Sequence, residues 1–424
     1  MDLSPSRNIA VSLLFCIAVA LSMTFSQFIF PQVSDPLGSE VGTDGYDRLG
    51  RSIYALGTFS YYPDQQPTVM RGPGYPALIA LVLAICESCY PVSVQLVQAV
   101  LHGFTCVMVF LIGLKLLDRR RAFIASLLCA GYPSLIWYSA RVVTETFSVF
   151  LFTLVVFLIL FLQEKPSAVR IILLGIALGI SSLVRQVFLP LVFVTPMLLF
   201  VALGSQQRIR SAAGVLMVAS LIIIPWTMRN ALVADRFVAV HGLSGYNAQV
   251  GDYVTEHLTE SPFGYLMLVL ASDASQRDTG SYIWLREADA RSGAAQDHKL
   301  LMTSLQRYMH DPVFFLRKIA LNALLFWGYG SAPTQTFAFM VLQIPLALAF
   351  FIGTSRLIKR DGLSKLSATP VWLAAVYYLG HLPFFAIARY GVVLIPTMLI
   401  YAASLIGHRE RPGESSSVDS SPRL

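Results

Sequence analysis

Apolar runs of roughly 17 to 25 residues recur along the whole chain, and that length matches the hydrocarbon core of a bilayer. They lie near residues 8–30, 74–87, 91–114, 122–140, 142–162, 168–184, 187–204, 211–228, 314–330, 335–355, 369–387 and 390–407. Of the 424 residues 55% are apolar and only 13% charged, where a soluble domain carries about 25% charged residues. The chain therefore reads as an all-α polytopic membrane protein. Its 31 Lys and Arg against 24 Asp and Glu are loop charge that sets topology. No basic run alternates with aromatics, so no nucleic-acid partner is expected.

Two runs are doubtful as spans. Residues 74–87 give about 21 Å of helix, short of a ~30 Å core. Residues 314–330 place Arg317 and Lys318 near one end and Trp327 and Tyr329 at the other, the pattern of an interfacial helix. If neither crosses, about ten spans remain with both termini inside. The basic groups at 115–121, 165–170, 208–210 and 356–365 then all face the cytoplasm, as the positive-inside rule asks. If both cross, the first three groups are thrown outside. The ten-span reading gives an N-terminal membrane module over 1–228, interrupted by a first outer loop at 31–90. An extracytoplasmic region with the interfacial helix follows over 229–334, then C-terminal membrane helices over 335–408. Residues 409–424 form a Ser-rich, disordered cytoplasmic tail. The run 8–30 reads as an uncleaved first span, with a secretory signal as the alternative, and 74–87 as a half-helix dipping into the outer leaflet.

This topology puts Arg71, Arg141, Arg185, Arg229 and Arg389 on the outer face from five separate places in the chain. Singly, each is a snorkelling anchor. Together, against the positive-inside bias, they suit an anionic partner, and guanidinium binds phosphate as a fork. Glu145 opens an apolar run and needs a cation; Arg141, four residues earlier, can supply it, or Glu145 can hold substrate or another arginine. Gln95, Gln98 and His102 share one helix face, for helix–helix hydrogen bonds or for lining a cavity. Cys86 and Cys89 have no second pair with which to bind zinc. Two free thiols are expected there, with a disulfide as the alternative.

The first outer loop holds TDGYDRLGRSIY, with Asp44 and Asp47 three apart, and then PTVMRGPGYP around Arg71 and Tyr75. Thr43 or Asp44 can cap a helix there. A carboxylate beside a cationic cluster also stays ionised and can take a proton from a hydroxyl. No set of His, Asp and Glu has metal-ligand spacing. The sequence thus requires no metal, and a divalent cation stays an alternative.

These segments, with YSARVVTETF, LVRQVFLP, IIIPWTMRNALVADRFVAVHGLSGYNAQVGDY, HDPVFFLRKIALNALLFW and ARYGVVLIPTMLIYAA, occur in an order that resembles the C-type (GT-C) membrane glycosyltransferases. The likeness is to the phospholipid-carrier-dependent group related to dolichyl-phosphate-mannose protein mannosyltransferases. It implies a GT-C-like helix bundle with extracytoplasmic loops. The implied enzyme is a hexosyl- or pentosyltransferase of the cytoplasmic (inner) membrane, acting at its outer side without a cofactor. It would invert the sugar it moves from a polyprenyl-phosphate donor to a glycan, lipid or protein hydroxyl, among membrane lipid. The family's catalytic acid maps onto Asp44, with Asp47 as its possible substitute. Tyr46, Arg71, Tyr75, Arg141, Glu145, Arg185, Arg229, Arg389 and Tyr390 are the expected substrate-binding residues. The rival expectation is a secondary transporter or flippase for a lipid-linked or anionic substrate, which would place its polar groups at the bilayer midplane.

Overall fold

The computed structural model describes residues 5–29, 44–62, 66–257, 290–330, 333–362 and 366–407, and among these it is helical without strands. Helix α1 (Pro5–Thr24) continues as a π-helical turn, Phe25–Ile29. Then come α2 (Tyr46–Leu56), α3 (Gly74–Ile85), α4 (Val92–Leu116), α5 (Arg119–Ala130), α6 (Pro133–Ser139) and α7 (Glu145–Glu164). Then follow α8 (Ala168–Val184), α9 (Leu189–Ala202), α10 (Ser205–Ala234), α11 (Ser244–His257), α12 (Ala290–His310) and α13 (Pro312–Gly328). The chain ends in α14 (Pro333–Asp361), α15 (Thr369–Leu379), the single turn α16 (Ala388–Gly391) and α17 (Ile395–Ala403).

Each of the ten expected spans overlaps one of these helices or the bent pair α5–α6, some only in part. Five are long and apolar enough by themselves: Asn8–Gln27, Val92–Leu116, Glu145–Glu164, Gln207–Ala234 and Pro333–Asp361. The α5–α6 pair, bent by 48°, makes a sixth when the two helices are counted as one span. The others (α8, α9, α15 and α16–α17) are shorter apolar helices. Helix α3 has 12 residues, about 18 Å, too short to cross. Helix α10 runs on to Ala234, so the boundary drawn at 228 falls inside it. The tail 409–424 lies outside the described residues.

The bundle packs closely where side chains are small. On α8, a Cβ at Gly175 would meet Val218 at 2.6 Å, and one at Gly179 would meet Ile222 at 2.8 Å. The pair is a small-xxx-small surface that lets α10 approach. A continuous apolar core runs from Cys106 and Phe152 through Phe188 and Tyr377 to Tyr401.

Outside the bundle, α11, α12 and α13 meet around the fully buried Lys318. Its Nζ donates to Asp252 Oδ1 (2.7 Å), Tyr308 OH (2.6 Å) and the Ala248 carbonyl (2.8 Å). Asp252 also accepts from Ser304 at 2.6 Å. One turn along α13, Asn322 Nδ2 donates to the carbonyls of Leu382 (2.8 Å) and Phe384 (3.3 Å). The outer helices thereby seat the non-helical stretch after α15, where the expected span 369–387 in fact stops at Leu379.

Two local expectations are corrected. Cys86 and Cys89 are joined as a disulfide, the alternative that the sequence left open. And α7 begins at Glu145, with residues 141–144 in a bend. Arg141 and Glu145 are therefore not one helical turn apart.

Candidate active site

The site starts in the turn before α2. Asp44 (φ 51°) and Gly45 (φ 75°) are both left-handed, a conformation that glycine takes freely and Asp tolerates better than most residues. The N-cap is Gly45, without a side-chain cap bond; Thr43, one of the two expected capping residues, lies outside the described residues. The turn directs the Asp44 carboxylate away from the helix to Arg389, whose Nη2 donates to Oδ2 at 2.5 Å. Arg71 Nη2 reaches the Asp44 carbonyl at 3.4 Å. Burial pushes the Asp44 carboxyl up, but Arg389, Arg71 and Arg141 together outweigh it and hold the group below its ordinary value. Asp44 is a carboxylate at neutral pH.

Arg389, on α16, is shared. Its Nε and Nη2 donate to Glu145 Oε1 (2.5 Å) and Oε2 (3.1 Å). Glu145 is fully buried at the first turn of α7, where the helix N-terminus also favours an anion. On its other side lies Arg185 Nη1, 3.7 Å from Oε1, without a hydrogen-bond partner. The Arg185 guanidinium sits 4.8 Å from the Tyr390 ring centroid, and Tyr390 stacks on His381 at 4.9 Å. Asp44, Arg389, Glu145 and Arg185 thus alternate in charge along one chain of contacts drawn from four separate segments.

Behind this chain opens a cleft of about 310 Å³, at the small end for ligand sites. Arg71, Arg185, Tyr46 and Tyr390 form its charged and aromatic end. Val187, just before α9, and Leu189 and Pro190 at its start supply apolar lining. His241, Ser244 and Asn247 supply polar lining. Gln186 ties the two, donating to Ser244 Oγ at 3.2 Å and accepting from the His241 amide at 3.1 Å. Burial, then Arg71 and Arg185, push His241 down to about 3, so its ring is neutral. Its Nδ1 has no hydrogen-bond partner.

Not every expected residue joins. Tyr75 is fully buried beneath Tyr46, edge-on at 5.5 Å, and gives its hydroxyl to Gln98 at 2.8 Å; it is not placed to touch substrate. Arg229 donates to the Thr68 carbonyl at 2.6 Å and lies over Trp226 at 4.7 Å. It braces the strand of chain leading to Arg71 from outside the cleft. Arg141 acts on Asp44 through its field but makes no salt bridge with Glu145; its guanidinium lies 6.0 Å from the Trp137 ring. Asp47, in the first turn of α2, couples electrostatically to Tyr75 and Tyr90. Sequence reasoning missed His241, Gln186, Ser244 and Asn247. Single polar residues in loops carry no periodicity, and only their convergence in space marks them.

The architecture is that of the GT-C membrane glycosyltransferases. Residues 69–228 match the family model for dolichyl-phosphate-mannose-protein mannosyltransferase, the segment from the Arg71 loop through the first four fifths of α10. The archaeal oligosaccharyltransferase AglB from Archaeoglobus fulgidus, solved with an inhibitory peptide and a dolichol-phosphate, superposes with a TM-score of 0.51 at 14% identity. It covers 95% of this chain and 50% of that one. The same organism's oligosaccharyltransferase tethered to an acceptor peptide gives 0.54 at 14% identity, over 93% and 49%. ArnT from Cupriavidus metallidurans bound to undecaprenyl phosphate is a looser match: 0.43 at 13% identity, over 92% and 77%. The likeness at these identities is one of fold, and the chain spans about half the length of the oligosaccharyltransferases. A search of the curated proteins finds no match.

Proposed function

We propose that the protein is an inverting glycosyltransferase of the cytoplasmic membrane. It moves one hexosyl or pentosyl group from a polyprenyl-phosphate donor to an acceptor hydroxyl at the outer face. The observation that carries this reading is the ionised Asp44 carboxylate, paired with Arg389 and tied through Arg71 to a cleft that Arg71 and Arg185 line together with apolar residues. Arg71 and Arg185 take the donor phosphate, and the apolar residues Val187, Leu189 and Pro190 around the start of α9 meet the first part of its chain. The matched oligosaccharyltransferase was solved with a dolichol-phosphate, which supports a donor of this kind.

The charges suit the reaction. Arg71, Arg141, Arg185 and Arg389 face Asp44 and Glu145, with His241 neutral, leaving a surplus of two positive charges. A sugar–phosphate–prenyl diester carries one negative charge. As the glycosidic bond breaks, the polyprenyl monophosphate that leaves gains most of a second. The surplus therefore binds the departing phosphate more strongly than the bound donor, which is the condition for lowering the barrier. Asp44 accepts the acceptor's proton on the face opposite the phosphate, giving inversion. Its basicity is weak, but the proton moves late, when the attacking oxygen has bonded to carbon and become strongly acidic. The arginines supply the electrostatic work, so the route drawn needs no metal.

The test is transfer by purified protein in liposomes from a labelled polyprenyl-phosphate sugar, with the anomeric configuration of the product read by NMR. Transfer with inversion, lost in Asp44→Asn, is expected. Retention, or movement of donor across the bilayer without transfer, would favour a double displacement or the flippase reading respectively.

A further inference from the structure

Helix α4 is an apolar membrane helix that nevertheless buries two glutamines in its outer half, Gln95 at 5% and Gln98 at 0% exposure. A buried amide is costly unless each of its groups is paired. The pairing here is directed at the break between α6 and α7. Gln98 Nε2 donates to the carbonyls of Ser139 (3.0 Å) and Arg141 (2.7 Å), and Gln95 Nε2 to that of Ala140 (2.8 Å). Three successive carbonyls are thus held by two side chains of one helix. Beyond them lie the 141–144 bend and Glu145, which holds Arg389 and Arg185.

The other end of the Gln98 amide points the opposite way. Its Oε1 accepts from the Tyr75 hydroxyl at 2.8 Å. The Tyr75 ring meets Tyr46 edge-on, and Tyr46 stands two residues after Asp44. Only one orientation of the amide satisfies all three bonds. We propose that Gln98 is a positioning residue that sets the distance between the Asp44 turn and the Glu145–Arg389 pair, touching no substrate itself. This rests on the reading of Asp44 as the base. Its chemistry is specific. Glu at 98 would keep the bond from Tyr75 but set a carboxylate against two carbonyls. Met would fill the space but remove all three bonds, leaving the Arg141 carbonyl only the Val143 amide (2.9 Å) and taking from the Ser139 carbonyl and the tyrosine hydroxyl the partner that Gln98 supplies.

The test measures transfer in liposomes for Gln98→Met, for Asp44→Asn and for both together, with thermal unfolding as the control on fold. Gln98→Met is expected to lower kcat about tenfold or more and to move the acid limb of the pH–rate profile upward, because Asp44 drifts from Arg389. Placed on Asp44→Asn, it should slow the residual rate by no more than about twofold, since the group it positions is gone. A multiplicative loss in the double variant, or an acid limb that does not move, would overturn the role and leave Asp44 as the base. If Asp44→Asn itself transfers normally, the reading of the site falls and this proposal with it. Should Gln98→Met not fold, Tyr75→Phe removes a single hydroxyl from the same relay, and the same two readouts decide.

Discussion

Glu145 offers the most demanding test of the site as built. Its side chain is 1% exposed and faces two arginines, Arg389 through two bonds and Arg185 at 3.7 Å. Glu145→Gln removes the charge but keeps one acceptor oxygen. One charge-assisted bond is lost and the other weakened, at roughly 1.5–3 kcal/mol for a full loss. Removing one partner of a buried ion pair costs about 3–5 kcal/mol in all. Retained shape puts the amide variant near the lower bound, about 3 kcal/mol. Expressed wholly in the transition state that is about a 10²-fold loss of kcat/KM, at 1.36 kcal/mol per tenfold; any part expressed in the fold appears as a lowered unfolding midpoint.

The assay pairs transfer kinetics with thermal unfolding in detergent, and a double-mutant cycle names the partner. Glu145→Gln combined with Arg389→Gln should be strongly non-additive, by about 1 kcal/mol or more. Combined with Arg141→Gln it should be additive within about 0.5 kcal/mol. The reverse pattern would refute the structure's assignment and restore the i,i+4 pair that the sequence suggested. An amide variant that both folds and turns over like the parent would refute the whole ion chain.

Asp44→Asn should slow transfer by about 10²-fold or more with donor binding nearly unchanged, while Asp47→Asn is milder; the opposite ranking in the same assay makes Asp47 the base. Asp44 is held below its ordinary value of 3.8, so as far as Asp44 decides it, activity persists on acidification until pH falls through that lowered value. The stability from its ion pair is likewise present above the unfolded pKa and lost as pH falls through the folded one. Arg389→Gln should move the acid limb of the pH–rate profile upward, and an unmoved limb would detach Arg389 from the base. Lys318→Ala strands the buried Asp252 and should cost about 3–5 kcal/mol in chemical unfolding, partly recovered by adding Asp252→Asn; no loss would mean that the pair is not buried as described. Cysteine labelling at residues 118, 207 and 362 should succeed only from the cytoplasmic side, and labelling of 118 from outside intact cells would sink the ten-span reading.

The bundle was legible because bilayer thickness fixes run length, and run length survives in sequence. Asp44, Arg185 and Arg389, which the structure joins through Glu145, stood out in the sequence because charge among apolar residues is conspicuous. What stayed hidden was pairing. Arg141 looked like the partner of Glu145 only on the assumption of an unbroken helix, and the 141–144 bend removes that assumption. Arg229 had the same credentials as Arg185, an outer arginine at a span end, yet its guanidinium is consumed by the Thr68 carbonyl and Trp226. Tyr75 sat in the right motif but is turned inward to Gln98. Composition places a residue on a face; only packing decides whether its polar atoms are left over for a ligand.

That distinction also explains why the site can be rigid although its parts come from loops. Each charged group is held from behind by an element of the bundle or its outer helices. Glu145 is fixed by the start of α7 and Arg389 by Glu145, while Asn322 holds the stretch from which Phe384 and Phe385 line the cleft. Arg185 Nη1 and His241 Nδ1 are buried without hydrogen-bond partners, and both residues line the same cleft. A buried polar atom without a partner costs about 1–3 kcal/mol, and two such atoms in one cleft suit a ligand that completes them. An anionic, partly apolar ligand of the size of a sugar phosphate would complete them.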